Sequence, residues 1–121
     1  EILNLTRLTL ISDEVLNIVS TKLPDLRELY LYATHNSVTK HSNTLLESQV
    51  YFKVEIIDLC GVQKLSDDSL ISLCEKNQAL KEINLTWCLE ITDRGIVEGI
   101  CGSLKQEGLK LLGLFGNTNI T

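Results

Sequence analysis

Five leucines, Leu5, Leu31, Leu59, Leu85 and Leu114, recur along the chain at intervals of 26, 28, 26 and 29 residues, each within a similar local pattern. The segment LNLTRLTLISDEVL superposes on INLTWCLEITDRGI after a shift of 80 positions. Leu3 then falls on Ile83, Ile11 on Ile91, Ser12 on Thr92, Asp13 on Asp93 and Leu16 on Ile96. A shift of 26 brings IDLCGVQKLSDDSL onto the same frame, and weaker copies begin at LRELYLYA and LKLLGLFG. Self-similarity at this period is the mark of a solenoid. One strand and one helix cannot bury their own apolar faces, whereas stacked copies can. The expected fold is therefore α/β, a solenoid whose parallel strands line a concave wall and whose helices form the convex one. About five units start near residues 1, 26, 54, 80 and 109.

The copy from Leu80 to Leu109 shows how one unit is written. In LKEINL, Leu80, Ile83 and Leu85 point inward, and Glu82, Asn84 and Thr86 take the opposite face, the period-two signal of a half-buried strand. Cys88 and Ile91 continue the buried series, a small thiol suiting the tight exit from the strand. Thr92 is placed to cap a following helix, with Asp93 in its first turn, and Ser12-Asp13 and Ser66-Asp67 repeat the device. Leu70, Leu73 and Cys74, like Leu16 and Val19, carry helical spacing. Pro24 ends the first helix and delivers Leu26 to the next strand, and Asn77 makes the same return to Leu80. Leu3, Leu5, Leu112 and Leu114 are expected to form apolar edges, because both ends of the chain read as cut from a longer array.

The frame breaks between Thr34 and Lys53. There a weak helix over 42–50, built on Leu45, Leu46 and Val50, competes with a functional insert carrying His35 and His41. No cysteine or carboxylate is spaced to join those histidines at a metal. The four cysteines, at 60, 74, 88 and 101, lack any C-x-x-C pair. Half-repeat spacing puts Cys60 and Cys88 on the strand side and Cys74 and Cys101 on helices, too far apart for one metal or for ready disulfides. They read as buried structural thiols of a reducing compartment, cytoplasmic or nuclear.

The motif as a whole, L-x-x-L-x-L-x-x-C-x-x-(I/L)-(T/S)-D-x-G-(I/L), resembles the cysteine-containing leucine-rich repeats of F-box/LRR proteins, with a plant-like flavour in LYLYA, DLCG, NLTWC and LFG. The likeness covers Ile2 to Ala33 and Val54 to Thr121. Only the Leu80 copy carries the full motif, since Leu8, Thr34 and Val62 stand at the cysteine position elsewhere. The resemblance implies the substrate-recognition repeats of an SCF-type E3 ubiquitin ligase receptor, feeding ubiquitin-dependent catabolism by the proteasome. In that family an F-box docks a Skp-type adaptor, and no F-box segment is seen here, so contact with the adaptor would need a segment outside this chain.

Composition narrows the partners. A net charge of −5 over 121 residues disfavours a nucleic-acid backbone, and no apolar run is long enough to span a bilayer. No G-x-S-x-G, P-loop or H-E-x-x-H motif is present, and the carboxylates fall at helix starts and solvated faces, so neither catalysis nor a cofactor is expected. The outward strand positions are Asn4 and Thr6; Glu28, Tyr30 and Tyr32; Asp58 and Cys60; Glu82, Asn84 and Thr86; Gly113 and Phe115. Trp87 sits at the strand exit beside them. Four of the six aromatic residues fall on or beside this wall, and aromatic side chains dominate interface hot spots. The residues expected to bind a protein partner are Tyr30, Tyr32, Asp58, Glu82, Asn84, Thr86, Trp87 and Phe115. The competing reading has Tyr30 and Trp87 packing only between neighbouring copies. Two alternatives in function are a sensor of a hormone or inositol phosphate and a leucine-rich-repeat adaptor without an F-box. The sensor would need inner-strand Lys or Arg, and the nearest candidates are Arg7, Arg27 and Lys81.

Overall fold

The structure, a computed structural model, describes residues 1–7, 22–32, 53–104 and 108–121. The expected helix around Leu16 and Val19, the 42–50 segment and both histidines lie outside these residues.

Five three-residue strands, β1 (Ile2–Asn4), β2 (Glu28–Tyr30), β3 (Ile56–Asp58), β4 (Glu82–Asn84) and β5 (Leu111–Gly113), form one all-parallel sheet in chain order. Their central residues share one register: Leu3 opposite Leu29, Leu29 opposite Ile57, Ile57 opposite Ile83, and Ile83 opposite Leu112. Parallel neighbours need a crossover between them. Helix α1 (Asp67–Lys76) makes it between β3 and β4, and helix α2 (Gly95–Cys101) between β4 and β5. The two helices pack side by side. The chain is thus α/β, with the core between sheet and helices.

That core is the inward set of the alternation. Leu29, Ile57 and Ile83 from the strands join Leu31, Leu59 and Leu85 just after them, Leu26, Val54 and Leu80 just before, and Leu70, Leu73 and Cys74 from α1. Leu3, Leu5, Leu112 and Leu114 pack against it half-buried. Burying one such leucine or isoleucine contributes about 1.5–3 kcal/mol, so the stacking of successive strands supplies the stability that one unit lacks. Hydrogen bonding continues past the strands. The N–H groups of Arg7, Gly61 and Trp87 donate to the carbonyls of Tyr32, Thr86 and Phe115, at 2.8, 2.9 and 2.9 Å.

Helix α1 starts as its sequence dictates. Ser66, in extended conformation, accepts from the Ser69 N–H, and Asp67 and Asp68 follow in the first turn. It ends at buried Asn77, whose side-chain Nδ2 donates to the Leu73 carbonyl at 2.8 Å and whose backbone carbonyl accepts from Leu80 N–H.

Helix α2 departs from expectation. It is wound as a π-helix over Gly95–Cys101, and Thr92, besides accepting from a first-turn N–H as expected, reaches across to α1. The Thr92 hydroxyl accepts the Arg94 N–H at 3.3 Å, as a cap does, and donates to Asp67 Oδ2 at 2.5 Å. Glycine explains the close approach at one point: a Cβ on Gly95 would collide with Asp67 Oδ1, whereas one on Gly99 would only touch the Ile71 backbone. Cys101 lies one residue past the inward position, since the shift of 26 sets Cys74 against Ile100 and Cys101 against exposed Glu75. Gly95, Gly99, Ile100 and Leu104 form the buried stripe, which leaves Cys101 exposed and corrects the expectation that all four thiols are buried. Among the described residues, no helix is long and apolar enough to cross a membrane.

Candidate functional site

The sheet face turned away from the helices is an array of side chains three rows deep and five strands wide. Because side chains alternate, fixing Leu29, Ile57 and Ile83 inward forces the residues on either side outward. The shared register then lines these up across strands. The first row reads Ile2, Glu28, Ile56, Glu82, Leu111. The second reads Asn4, Tyr30, Asp58, Asn84, Gly113, and the third, at the strand exits, Thr6, Tyr32, Cys60, Thr86, Phe115.

Over β2 to β5 this face is hollowed into an open groove of about 370 Å³. Tyr30, Asp58, Glu82, Asn84 and Thr86 line it, so the structure brings five of the expected site residues together. Its remaining walls are apolar, Ile56 and Leu111 chief among them. Gly113 leaves the β5 end open, since a Cβ there would stand 2.7 Å from Asn84 Oδ1. Ile56 and Leu111 escape a reading that seeks polar residues on the outer face. The doublets Ile56-Ile57 and Leu111-Leu112 carry the signal, because only one member of an adjacent pair can point inward.

Several polar members of the array also hold the backbone. Asn4, Asp58 and Asn84 each accept, through Oδ1, the N–H two residues on, at 3.0, 2.9 and 3.0 Å, which bends the chain out of the strand. The Tyr30 hydroxyl donates to Glu28 Oε2 at 2.9 Å. That bond, then burial and the carboxylates of Glu28, Glu82 and Asp58, raise its pKa above the ordinary phenol value. Cys60, expected on the open wall, is buried instead, and burial followed by the Asp58 charge pushes its thiol pKa up.

The strand exits carry the aromatic residues. Gly61 and Gly116 adopt positive φ there, 76° and 78°, and Arg7 and Trp87 do the same, at 61° and 58°. For an L-residue this conformation costs about 1–2 kcal/mol. In return it lays the Trp87 indole over Gly116, with Cε3 2.6 Å from where a Gly116 Cβ would be, and edge-on to Phe115 at 5.6 Å between ring centroids. Trp87 does pack on the neighbouring strand exit, yet it remains 48% exposed, Phe115 75% and Tyr32 38%. These three sit at the rim of the array rather than in the groove.

Thr92 and Asp93 reveal a further device that local reading misses. Asp67 accepts both the N–H (2.9 Å) and the hydroxyl of Thr92, and Asp93 accepts both the N–H (2.8 Å) and the hydroxyl of Thr121. The recurrent Thr/Ser-Asp pair therefore bonds sideways to its successor. These bonds lower the Asp93 pKa, the hydroxyl contact first.

One residue before each strand, Glu55 Oε1 bridges Arg27 (3.3 Å) and Lys81 (3.2 Å), so neither cation faces the groove alone. Among the described residues, no three His, Cys, Asp or Glu side chains are grouped for a metal ion. No family model matches the chain, and no solved structure matches it significantly.

Proposed function

We propose that the chain is a run of leucine-rich repeats stacked as a solenoid, and that its open strand face docks a protein. The reading extends to the substrate-recognition repeats of an SCF-type ubiquitin ligase receptor of the cytoplasm or nucleus, a binding module rather than an enzyme. The observation that carries the docking face is Trp87: a bulky side chain held at positive φ, half exposed against Phe115 at the rim of a groove. Large, exposed, rigid aromatic residues around a polar-and-apolar hollow are what interface hot spots are built from. The repeat reading draws support from the single register of five parallel strands and from the two lateral Thr–Asp contacts. The ligase reading rests on the motif resemblance alone.

Replacing Tyr30, Tyr32 and Trp87 by Ala in the full-length protein should abolish recovery of its partner in a pull-down, with circular dichroism unchanged. Undiminished recovery from the folded variant would remove the face as the docking site. An F-box upstream of Glu1 supports the ligase reading; another domain in its place favours an adaptor. The small-ligand alternative draws on the groove's volume, which falls within the range of ligand pockets. It loses ground for inositol phosphates, since no Lys or Arg among the described residues lines the groove.

A further inference from the structure

The groove carries charge of one sign. Asp58 and Glu82 line it and are diagonal neighbours on adjacent strands, Asp58 standing opposite Asn84 and Glu82 opposite Ile56. Glu28 occupies the same row as Glu82 and engages the Tyr30 hydroxyl. The Glu82 carboxylate has no hydrogen-bond or ion-pair partner among the described residues. Arg27 and Lys81 are tied to Glu55 one residue ahead of the strands. Beside the acids lie aliphatic surfaces, Ile56 and the 59%-exposed Leu111. A complementary occupant therefore needs positive charge and an apolar side chain close together.

We propose that this groove takes an extended basic segment of the partner protein, with an Arg or Lys side chain between Asp58 and Glu82 and an adjoining aliphatic side chain on Ile56 and Leu111. Strands lie about 4.8 Å apart, so β2 to β5 spans ~14 Å, or about five residues of extended chain. A guanidinium suits the site better than an ammonium, because its planar fork can address two carboxylates at once. This inference rests on the docking reading and specifies its chemistry.

The test uses three labelled peptides of roughly eight residues, long enough to overhang the groove. Each repeats Leu-Ser-X-Ser with X as Arg, Gln or Glu, so that Leu and X project to the same face of the extended chain, and fluorescence anisotropy with the full chain follows binding. The Arg peptide should bind best, and the Glu peptide not at all. Raising salt should weaken the Arg peptide several-fold, because screening shortens the reach of the carboxylates. The Asp58→Asn, Glu82→Gln double variant should weaken it about tenfold or more. The Asp58→Asn change keeps a side-chain oxygen to accept the Cys60 N–H, so the turn survives. Equal binding of all three peptides, or an Arg peptide that fails to bind or is indifferent to the double variant, overturns the inference. If Trp87→Ala nonetheless abolishes partner recovery in the pull-down, the docking face stands and only its basic specificity falls. If Trp87→Ala also leaves recovery intact, the face itself falls.

Discussion

Replacing Asp67 by Ala isolates the sideways bonding between successive units. The substitution removes the acceptor of two hydrogen bonds, from Thr92 N–H at 2.9 Å and from its hydroxyl at 2.5 Å. A hydrogen bond to a charged group contributes about 1.5–3 kcal/mol. Thr92 is half-buried, so water can re-solvate part of what is lost, and the low end applies. Two such bonds, with ~0.5 kcal/mol for the lost charge in the first turn of α1, put the destabilisation at about 3.5 kcal/mol. Asp68 is an internal control one residue away with the same charge. It pairs with Arg94 across an exposed surface, where solvent screening leaves such a pair little effect on stability. Urea unfolding of Asp67→Ala, Asp68→Ala, Thr92→Val and the Asp67→Ala, Thr92→Val pair completes a double-mutant cycle. The expected coupling is about 1.5 kcal/mol, the hydroxyl's share. Equal effects at Asp67 and Asp68, or additivity within ~0.3 kcal/mol, would refute the reasoning.

Gly95→Ala should destabilise by roughly 1–2 kcal/mol, although alanine ordinarily improves a helix by about 0.5–1 kcal/mol, because its Cβ displaces the Asp67 carboxylate; thermal unfolding reads the sign. Trp87→Gly relieves the positive φ and loses the Phe115 contact, terms of about 1 kcal/mol each and opposite sign, but also gives up the burial of a half-buried indole, about 2–3 kcal/mol. Stability should therefore fall by about 2–3 kcal/mol, while recovery of the partner falls at least about tenfold. Burial pushes the Cys74 and Cys88 thiol pKa values from 9.0 up to about 12. The folded state thus holds protons that the unfolded state releases. The stabilising contribution is complete below pH 9 and is lost as pH rises from there towards 12, at up to ~1.4 kcal/mol per pH unit for each thiol. Urea midpoints across that range check it, and a flat profile would contradict it. A thiol reagent should label exposed Cys101 promptly and buried Cys60, Cys74 and Cys88 only on unfolding.

The inward face of the sheet was legible because alternation and period act together. Ile57 and Ile83 could point nowhere else once Leu59, Leu85 and the copies around them were superposed. Three features were not legible, each for a physical reason. The Thr92–Asp67 contact joins residues 25 apart, and a Thr-Asp pair read locally is only a helix start. Trp87 shares its place in the repeat with Gly61 and Gly116, which marks a positive-φ turn, but one sequence position gives no sign of tolerating a tryptophan there. Half-repeat spacing misplaces Cys101 because it runs one residue out of frame: the shift of 26 sets Cys74 against buried Ile100 and Cys101 against exposed Glu75. On the site, the polar residues of the groove followed from the outward alternation. Its apolar walls, Ile56 and Leu111, lay hidden inside hydrophobic doublets.

Hydroxyl-radical footprinting of the full-length protein, free and bound to its captured partner, tests the docking face most directly. Trp87, Phe115 and Tyr32 should lose reactivity on binding, while Val97, exposed on α2, should keep its own. Protection of Val97 with the three aromatic residues unchanged would place the partner on the helices and contradict the account.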